Sequence, residues 1–182
     1  MTAASSSVVA VRTAGPADAA ALATLAAATF RLACPPQTTE AAIAEFLRDV
    51  LSEARFGEYL SDPAKLVLVA EQDGLAVGYT LLVFGEPSDP DVAGALGIRP
   101  TVELSKCYVR AEAHGAGTAS ALMAATLEAA GERGAAGAWL GVNEQNARAI
   151  RFYEKHGFAT VGRKRFLLGG VYENDFTLER AL

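Results

Sequence analysis

The stretch YVRAEAHGAGTASALM, Tyr108 to Met123, decides how the chain is read. An apolar strand runs into a glycine turn, and the turn opens directly into a helix. Gly115, Gly117 and Ala119 put small residues at every second position where the chain changes type. The first four N–H groups of a helix have no partner inside it, and they carry the positive end of its dipole. Many helices fill that end with Asp or Glu. Here the first acid after the turn is Glu128, deep in the helix. Gly115, Ala116, Gly117, Thr118, Ala119 and Ser120 supply free amides, two hydroxyls and almost no bulk. That suits a phosphate or pyrophosphate seated from outside. It equally suits a tight strand-to-helix turn, so the turn alone leaves both readings open.

Three phosphate-binding patterns compete for it. GxxxxGK[ST] is absent. The dinucleotide fingerprint GxGxxG is incomplete, because Ser120 stands in the place of the third glycine and no acid ends the next strand. The third pattern, Arg or Gln followed by xxGxG/A, is largely matched.

On the N-terminal side, Val8–Val11 reads as a short strand and Asp18 to about Arg31 as a helix that Cys34-Pro35-Pro36 must break. Ile43, Phe46, Leu47, Val50 and Leu51 fall on one helical face. Leu66–Glu71 and Leu75–Phe84 are apolar runs joined through Asp73-Gly74, a hairpin signal. Residues 85–100 read as a loop and Val102–Val109 as a strand. Downstream come a helix from Gly117 to Arg133 with Gly134 at its C′ position, a strand from Ala138 to Asn143, and a helix from Asn146 to His156 stopped by Gly157. Phe158–Leu168, Gly169-Gly170 and Val171–Leu178 make a closing hairpin. The order predicts one mixed α/β domain over residues 8–182, a central sheet of about seven strands flanked by about four helices, behind a disordered tail at residues 1–7.

The second informative segment is WLGVNEQNARAIRFYEKHGF, Trp139 to Phe158. Asn146 and Tyr153 are two helical turns apart and share a face, with Ile150 between them. Each alone has a structural role to hand: Asn146 as an N-cap, Tyr153 as core. The pair, following a strand and a phosphate-type turn, carries more.

Together the two segments resemble the GCN5-related N-acetyltransferase (GNAT) superfamily, through CYVRAEAHGAGTASALM and through N-x-x-A-x-x-F-Y-x-K-x-G-F within Asn146–Phe158. ELSKCYV and the ending FLLGGVYENDFTLERAL are more narrowly similar to bacterial polyamine acetyltransferases of the spermidine/spermine type. The resemblance implies acetyl-CoA as cosubstrate, without a metal. The amides from Gly115 to Ser120 would hold its pyrophosphate, and the strand through Cys107, Tyr108 and Val109 would pair with its pantetheine arm. Asn146 would bond that arm, and Tyr153 would protonate the departing thiolate. His114 stands where the family usually has Arg or Gln.

An alkyl ammonium must lose a proton before it can attack, so a base or water chain is required. Glu103, at the start of the strand lining the thioester, is the candidate, and a solvated strand-end carboxylate is its alternative. Cys107 sits in an apolar strand without a His partner and reads as a small hydrophobe, so attack is direct, in a ternary complex. The acceptor is expected between the first two helices and the loop 85–100, near Phe30, Phe46, Phe56 and Tyr59. It is a small primary amine, with polyamines among the candidates. An antibiotic, an amino acid or a protein N-terminus is the alternative with the same chemistry, and a non-catalytic acyl-CoA sensor is the alternative of another class. The composition fits this picture. The 182 residues carry a net charge of −5, which argues against nucleic acid and anionic membrane as partners. Cys34 and Cys107 lie far apart, with no CxxC and no His cluster, arguing against disulfide or zinc and for a reduced, cytoplasmic setting. The N-terminus has no signal-peptide pattern, and a homodimer is left open.

Overall fold

The turns come out where the sequence puts them. In the computed structural model, which describes residues 9–114 and 117–182, Asp73 and Gly74 take φ of 52° and 78°, the left-handed pair that a two-residue hairpin demands. The tail expected for residues 1–7, Val8, Gly115 and Ala116 lie outside the described residues. The hairpin joins β2 (Lys65–Gln72) to β3 (Leu75–Phe84). The remaining strands are β1 (Ala10–Thr13), β4 (Thr101–Val109), β5 (Gly137–Asn143), β6 (Ala159–Leu168) and β7 (Val171–Ala181). They form one seven-stranded sheet in the order β1-β2-β3-β4-β5-β7-β6. Every pairing is antiparallel except β4 with β5.

Among the described residues there are six α-helices, two more than the sequence suggests: α1 (Ala19–Thr29), α2 (Glu40–Asp49), α3 (Glu53–Ser61), α4 (Pro90–Ala95), α5 (Thr118–Glu132) and α6 (Ala147–Lys155). Helix α3 separates from α2 because the Ser52 side chain accepts from the Arg55 N–H and starts a new helix. Helix α4 lies in the segment read as loop. Its Asp89 cap and Pro90 at the first helical position were legible, but six residues are too few to show a period.

On one face of the sheet, α1 buries Leu22, Leu25, Ala26 and Thr29, at successive i, i+3, i+4 and i+7 positions. With Phe56 of α3 they pack on Val67, Val69, Tyr79 and Leu81. Fully burying a side chain such as Leu22 contributes about 1.5–3 kcal/mol. On the other face, Met123 of α5, Phe158 and the half-buried Ile150 of α6 pack on Leu82, Val102, Leu104, Leu140, Val142 and Leu178. A buried hydroxyl pair, Thr80 Oγ1 to Thr126 Oγ1 at 2.8 Å, ties β3 to α5. The described helices include none long and apolar enough to cross a membrane.

The feature that positions the site is where β4 and β5 part. They pair through three rungs only, Thr101 with Gly137, Val102 with Ala138 and Glu103 with Trp139. On β4 the register against β3 slips between Lys106 and Leu104, leaving Ser105 as the extra residue of a bulge. A bulge adds local twist and bends its strand, and beyond it the two strands diverge. The last shared rung is braced from outside. Glu179 of β7, opposite Trp139, accepts the Gly97 N–H at 3.0 and 3.1 Å and the Ile98 N–H at 2.9 Å. At the first rung, Gly137 leaves room for Ile98. A Cβ there would meet the Ile98 side chain at 2.7 Å. Gly137→Ala is therefore expected to cost about 1–3 kcal/mol of stability by overpacking, read as a lowered thermal midpoint. An unchanged midpoint contradicts this account of the apex.

Candidate active site

Alternation along β4 decides which of its backbone groups are spare. Arg110 donates to the Val77 carbonyl at 2.8 Å, one rung past the pairing of Gly78 with Val109. Bonded and unbonded rungs alternate in an antiparallel ladder. The N–H and C=O of Cys107 and Val109 thus turn away from β3, into the gap left by β5. The Val109 carbonyl confirms the direction, because it accepts from His114 Nε2 at 2.8 Å. That bond also fixes the His114 ring: the residue in the usual Arg or Gln position pins the end of the strand.

The gap is the floor of a cleft of about 420 Å³. Its floor and one wall hold Glu103 to Val109, His114, Ala119, Asn146 and Tyr153. Of the predicted turn residues, Gly115 and Ala116 lie outside the described residues, Gly117 is exposed, Ser120 is half-buried and Ala119 lines the cleft. Gly117 sits at φ 80°, a left-handed conformation that a β-branched residue resists. It leads into α5 with no side-chain cap and no acid in the first turn. Helices α2, α3 and α4 each have both. Thr118 is wholly buried, and its Oγ1 finds no hydrogen-bond partner among the described residues. A buried hydroxyl without a partner is costly. Together with the unfilled amides it makes the start of α5 a fit for an oxyanion.

Helix α6 brings Asn146 and Tyr153 to the same cleft, as their spacing predicts. Asn146 is the N-cap, its Oδ1 accepting from the Ala149 N–H at 3.1 Å, which leaves the amide NH₂ for the cleft. Ile150, the expected spacer, turns into the core instead, and Ala149 and Phe152 line the cleft between them. Tyr153 is held by edge contacts with Phe152 and Phe158, at 5.5 and 5.9 Å between ring centres. Its carbonyl accepts from the Phe158 N–H at 3.1 Å while Gly157 bonds to Glu154 at 3.0 Å. These two bonds close the helix around Gly157 at φ 85°. Burial pushes the phenol well above its ordinary range, with the neighbouring Cys107 and Tyr108 adding to the shift. It stays protonated at neutral pH.

Burial pushes the Cys107 thiol up to about 12, against a small opposing effect from Tyr153. Cys34, also on the cleft wall, is pushed up to about 11 by burial. Neither is a nucleophile at neutral pH. Trp139 is core, packed on Val92 and Leu96.

The acceptor side differs from the expectation. Phe30 and Phe46 line it, stacked at 4.4 Å and 5°. Phe56 is wholly buried, and Tyr59 donates to the Val50 carbonyl at 2.9 Å, so both belong to the core. The loop 85–100 does not reach the cleft, because α4 packs its Val92 and Leu96 on Trp139 instead. The outer wall comes from the Thr29–Pro35 segment and the β6–β7 hairpin, which contributes Lys164, Phe166, Leu168, Glu173 and Asp175. Gln37 reaches across to Glu173, at 3.4 Å to each carboxylate oxygen. Glu103 stands at the apex. Next to the bulge, Lys106 Nζ donates to Ser105 Oγ at 2.9 Å. Burial lowers the Lys106 pKa, and the charge of Glu103 opposes the shift. Lys106, Lys164 and Asp175 were not found from sequence. The available signal was β7 itself, where Glu173, Asp175, Thr177 and Glu179 put polar residues on one side of a strand that is buried from Asp175 through Glu179 apart from Phe176. Among the described residues no group of three or more His, Cys, Asp or Glu is placed to hold a metal.

Comparison with known proteins gives this geometry its relatives. Residues 27–158 match the model of the acetyltransferase (GNAT) family. An uncharacterised N-acetyltransferase of Mycobacterium tuberculosis is 46% identical over 165 residues, covering 91% of this chain and 98% of the relative. Another, from Lactobacillus delbrueckii subsp. lactis, is 28% identical over 141 residues, covering 77% and 78%. The crystal structure of PaiA N-acetyltransferase from Thermoplasma acidophilum, in complex with coenzyme A, superposes with a TM-score of 0.76 at 20% identity, covering 96% and 99%. The ribosomal-protein-S18-alanine N-acetyltransferase of Escherichia coli does so with 0.69 at 18%, covering 96% and 94%. At that identity the two structures speak for the fold alone.

With both thiols held far above neutral pH, native protein at about pH 8 is expected to resist iodoacetamide at Cys34 and Cys107, while denatured protein is alkylated at both. Mass spectrometry reads the difference. Fast native labelling of Cys107 would reopen the question of an acyl-enzyme.

Proposed function

The chain belongs to the acetyltransferase (GNAT) family, and on that premise we propose that it moves the acetyl group of acetyl-CoA to the primary amine of a small molecule, by direct attack within a ternary complex. The observation that carries this is the gap between β4 and β5, where the spare backbone of Cys107 and Val109, the unfilled start of α5 and the Tyr153 hydroxyl meet one cleft.

In this reading the amides from Gly115 to Ser120 seat the pyrophosphate, with the Thr118 hydroxyl within the same turn. The Cys107–Val109 edge receives the pantetheine amides as a neighbouring strand would be received. Asn146 adds its side-chain amide. The Cys107 N–H, turned into the gap, polarises the thioester carbonyl; the Tyr108 N–H belongs to the β3 ladder. As the C–N bond forms and the C–S bond breaks, Tyr153 passes its proton to sulfur. The high thiol pKa values of Cys107 and Cys34 support a route without an acyl-enzyme. The catalytic proposal includes Glu103 as a cleft carboxylate beside Lys106.

The cleft also supports a choice among acceptors. Its carboxylates, Glu103, Glu173 and Asp175, are matched by Lys106, Lys164 and Arg148. A long polycation would seat its further charges beside those ammonium groups, with repulsion that buried surroundings strengthen. Phe30, Phe46 and Phe166 offer apolar area instead. We therefore place a monoamine with an apolar body ahead of the polyamines. The non-catalytic reading loses ground to the poised Tyr153.

A panel of amines with acetyl-CoA, read by thiol release, tests this. A phenylalkyl monoamine is expected to give a kcat/KM about tenfold or more above that of spermidine, and the reverse order would return the polyamines to first place. Tyr153→Phe is expected to lower turnover by about 10²–10⁴-fold while calorimetry finds acetyl-CoA affinity unchanged. Equal turnover in the variant excludes Tyr153 as the acid.

A further inference from the structure

Resting on that reading, we propose that Asp175 is the carboxylate that meets the acceptor's ammonium and accepts the proton it must lose before attack. Asp175 lies on β7, opposite Asn143 of β5 and Lys164 of β6. It lines the cleft on the arm facing Tyr108. Its charge is felt at the Tyr108 hydroxyl, so it looks across the gap at the strand that carries Cys107. Glu103, by contrast, stands at the closed apex, where its charge favours the Lys106 ammonium.

Two facts set Asp175 apart from the other acids of the chain. It is only 8% exposed, yet it makes no hydrogen bond or ion pair among the described residues. Buried carboxylates are almost always paired. The neighbouring Glu179, equally buried at 8%, shows the usual solution by accepting from two backbone N–H groups, those of Gly97 and Ile98. Asp175 has instead the aromatic wall of Phe46 and Phe166 and an open cleft beside it. A cation arriving there recovers the interaction that burial has removed.

The same burial raises its pKa to about 6, with Lys164 pulling down and Glu173 and Glu144 pushing up. From the strands packed against it, the charged and titratable groups facing it are Lys164 on β6, Glu173 on its own strand, Glu144 after β5 and Tyr108 on β4. Lys106, Glu103 and Arg148 lie further along the cleft. A carboxylate near pH 6 is a stronger base than one in the ordinary range, yet is ionised at neutral pH. The protons balance over one turnover. The ammonium gives one to Asp175, and nitrogen gives a second as it becomes an amide. One of these two replaces the proton that Tyr153 hands to sulfur, and the other leaves to solvent.

The test uses the full chain, acetyl-CoA and the best amine of the panel. Wild type should show kcat/KM falling as pH drops through about 6, because protonated Asp175 can neither hold the ammonium nor take its proton. Asp175→Asn should lose about 10²–10⁴-fold in kcat/KM and lose that acid limb, with acetyl-CoA affinity by calorimetry unchanged. Lys164→Met should move the limb to higher pH, since a cation that favours the carboxylate is gone. The proposal is overturned if Asp175→Asn keeps kcat/KM within about threefold of wild type, or if Glu103→Gln alone takes the loss and the limb. Should the Asn variant fail to fold, the Lys164→Met limb decides, and a limb that stays in place overturns the assignment. A wild type that releases no thiol with any amine refutes the acetyltransfer reading itself, whereas an active wild type with an unaffected Asn variant refutes only the role of Asp175.

Discussion

Backbone hydrogen bonding between β4 and β5 is the constraint on which the rest of the structure turns. A buried strand edge that pairs with nothing costs about 1–3 kcal/mol for each orphaned donor or acceptor, so sheets seldom open in their middle. This one does, after three rungs. The groups left over belong to Cys107 and Val109 on one side of the gap, and one of them, the Val109 carbonyl, is answered locally by His114. The others await a partner with the same alternating donors and acceptors, which is what an amide-bearing arm supplies. On the function proposed here, the gap binds because it is an opening in the middle of the sheet.

The opening survives because the two faces of the sheet are packed differently. On the α5/α6 face one apolar cluster spans both arms, joining Leu82, Val102 and Leu104 to Leu140, Val142 and Leu178 through Met123 and Phe158. That cluster fastens the arms behind the gap. On the opposite face α1, α2 and α3 cover the β2–β4 arm, α2 also meeting Phe166 and Leu168 of β6, and α4 covers Trp139 on the other. Among the described residues the arms are bridged on this side by the contact of Gln37 with Glu173, by the aromatic wall of Phe30, Phe46 and Phe166, and by Leu168 packed against α2. On the function proposed here, cofactor side and acceptor side are the two faces of one gap.

This division explains what could be read from the residues. The cofactor side is local. Glycine turn, helix start, and Asn146 and Tyr153 two turns apart all sit in short segments with fixed spacing, and of these Ala119, Asn146 and Tyr153 line the cleft. The hairpins and helix stops were equally local, set by Asp73-Gly74, Gly169-Gly170, Gly134 and Gly157. Helix α4 escaped because six residues carry no period, and α3 was not read as a helix of its own although Ser52 caps it. The acceptor side is made at long range. Lys164 and Asp175 come from a hairpin that reaches the cleft only because β7 inserts between β5 and β6. The loop 85–100 looked polar enough to line a site, yet it is spent on anchoring α4 and on the Arg99–Glu86 pair at 2.8 Å.

The chain carries a net charge of −5, and the cleft shows why a sum is a poor guide to a site. Several acids of the chain are occupied away from the cleft: Asp89 caps α4, Glu86 pairs with Arg99, and Glu45 and Asp49 face a separate hollow under the Gly169-Gly170 turn. Inside the cleft, where lower polarity lets single charges count, carboxylates and ammonium groups are balanced. What distinguishes one position there is satisfaction. Glu179 has its two backbone donors, and Lys106 has Ser105. Asp175, as deeply buried, has none. A fold that spends a buried carboxylate without pairing it pays in stability, and that cost is repaid only when a cation arrives. On the proposed role of Asp175, the position of the unpaired acid, rather than the charge of the whole chain, is what selects an amine.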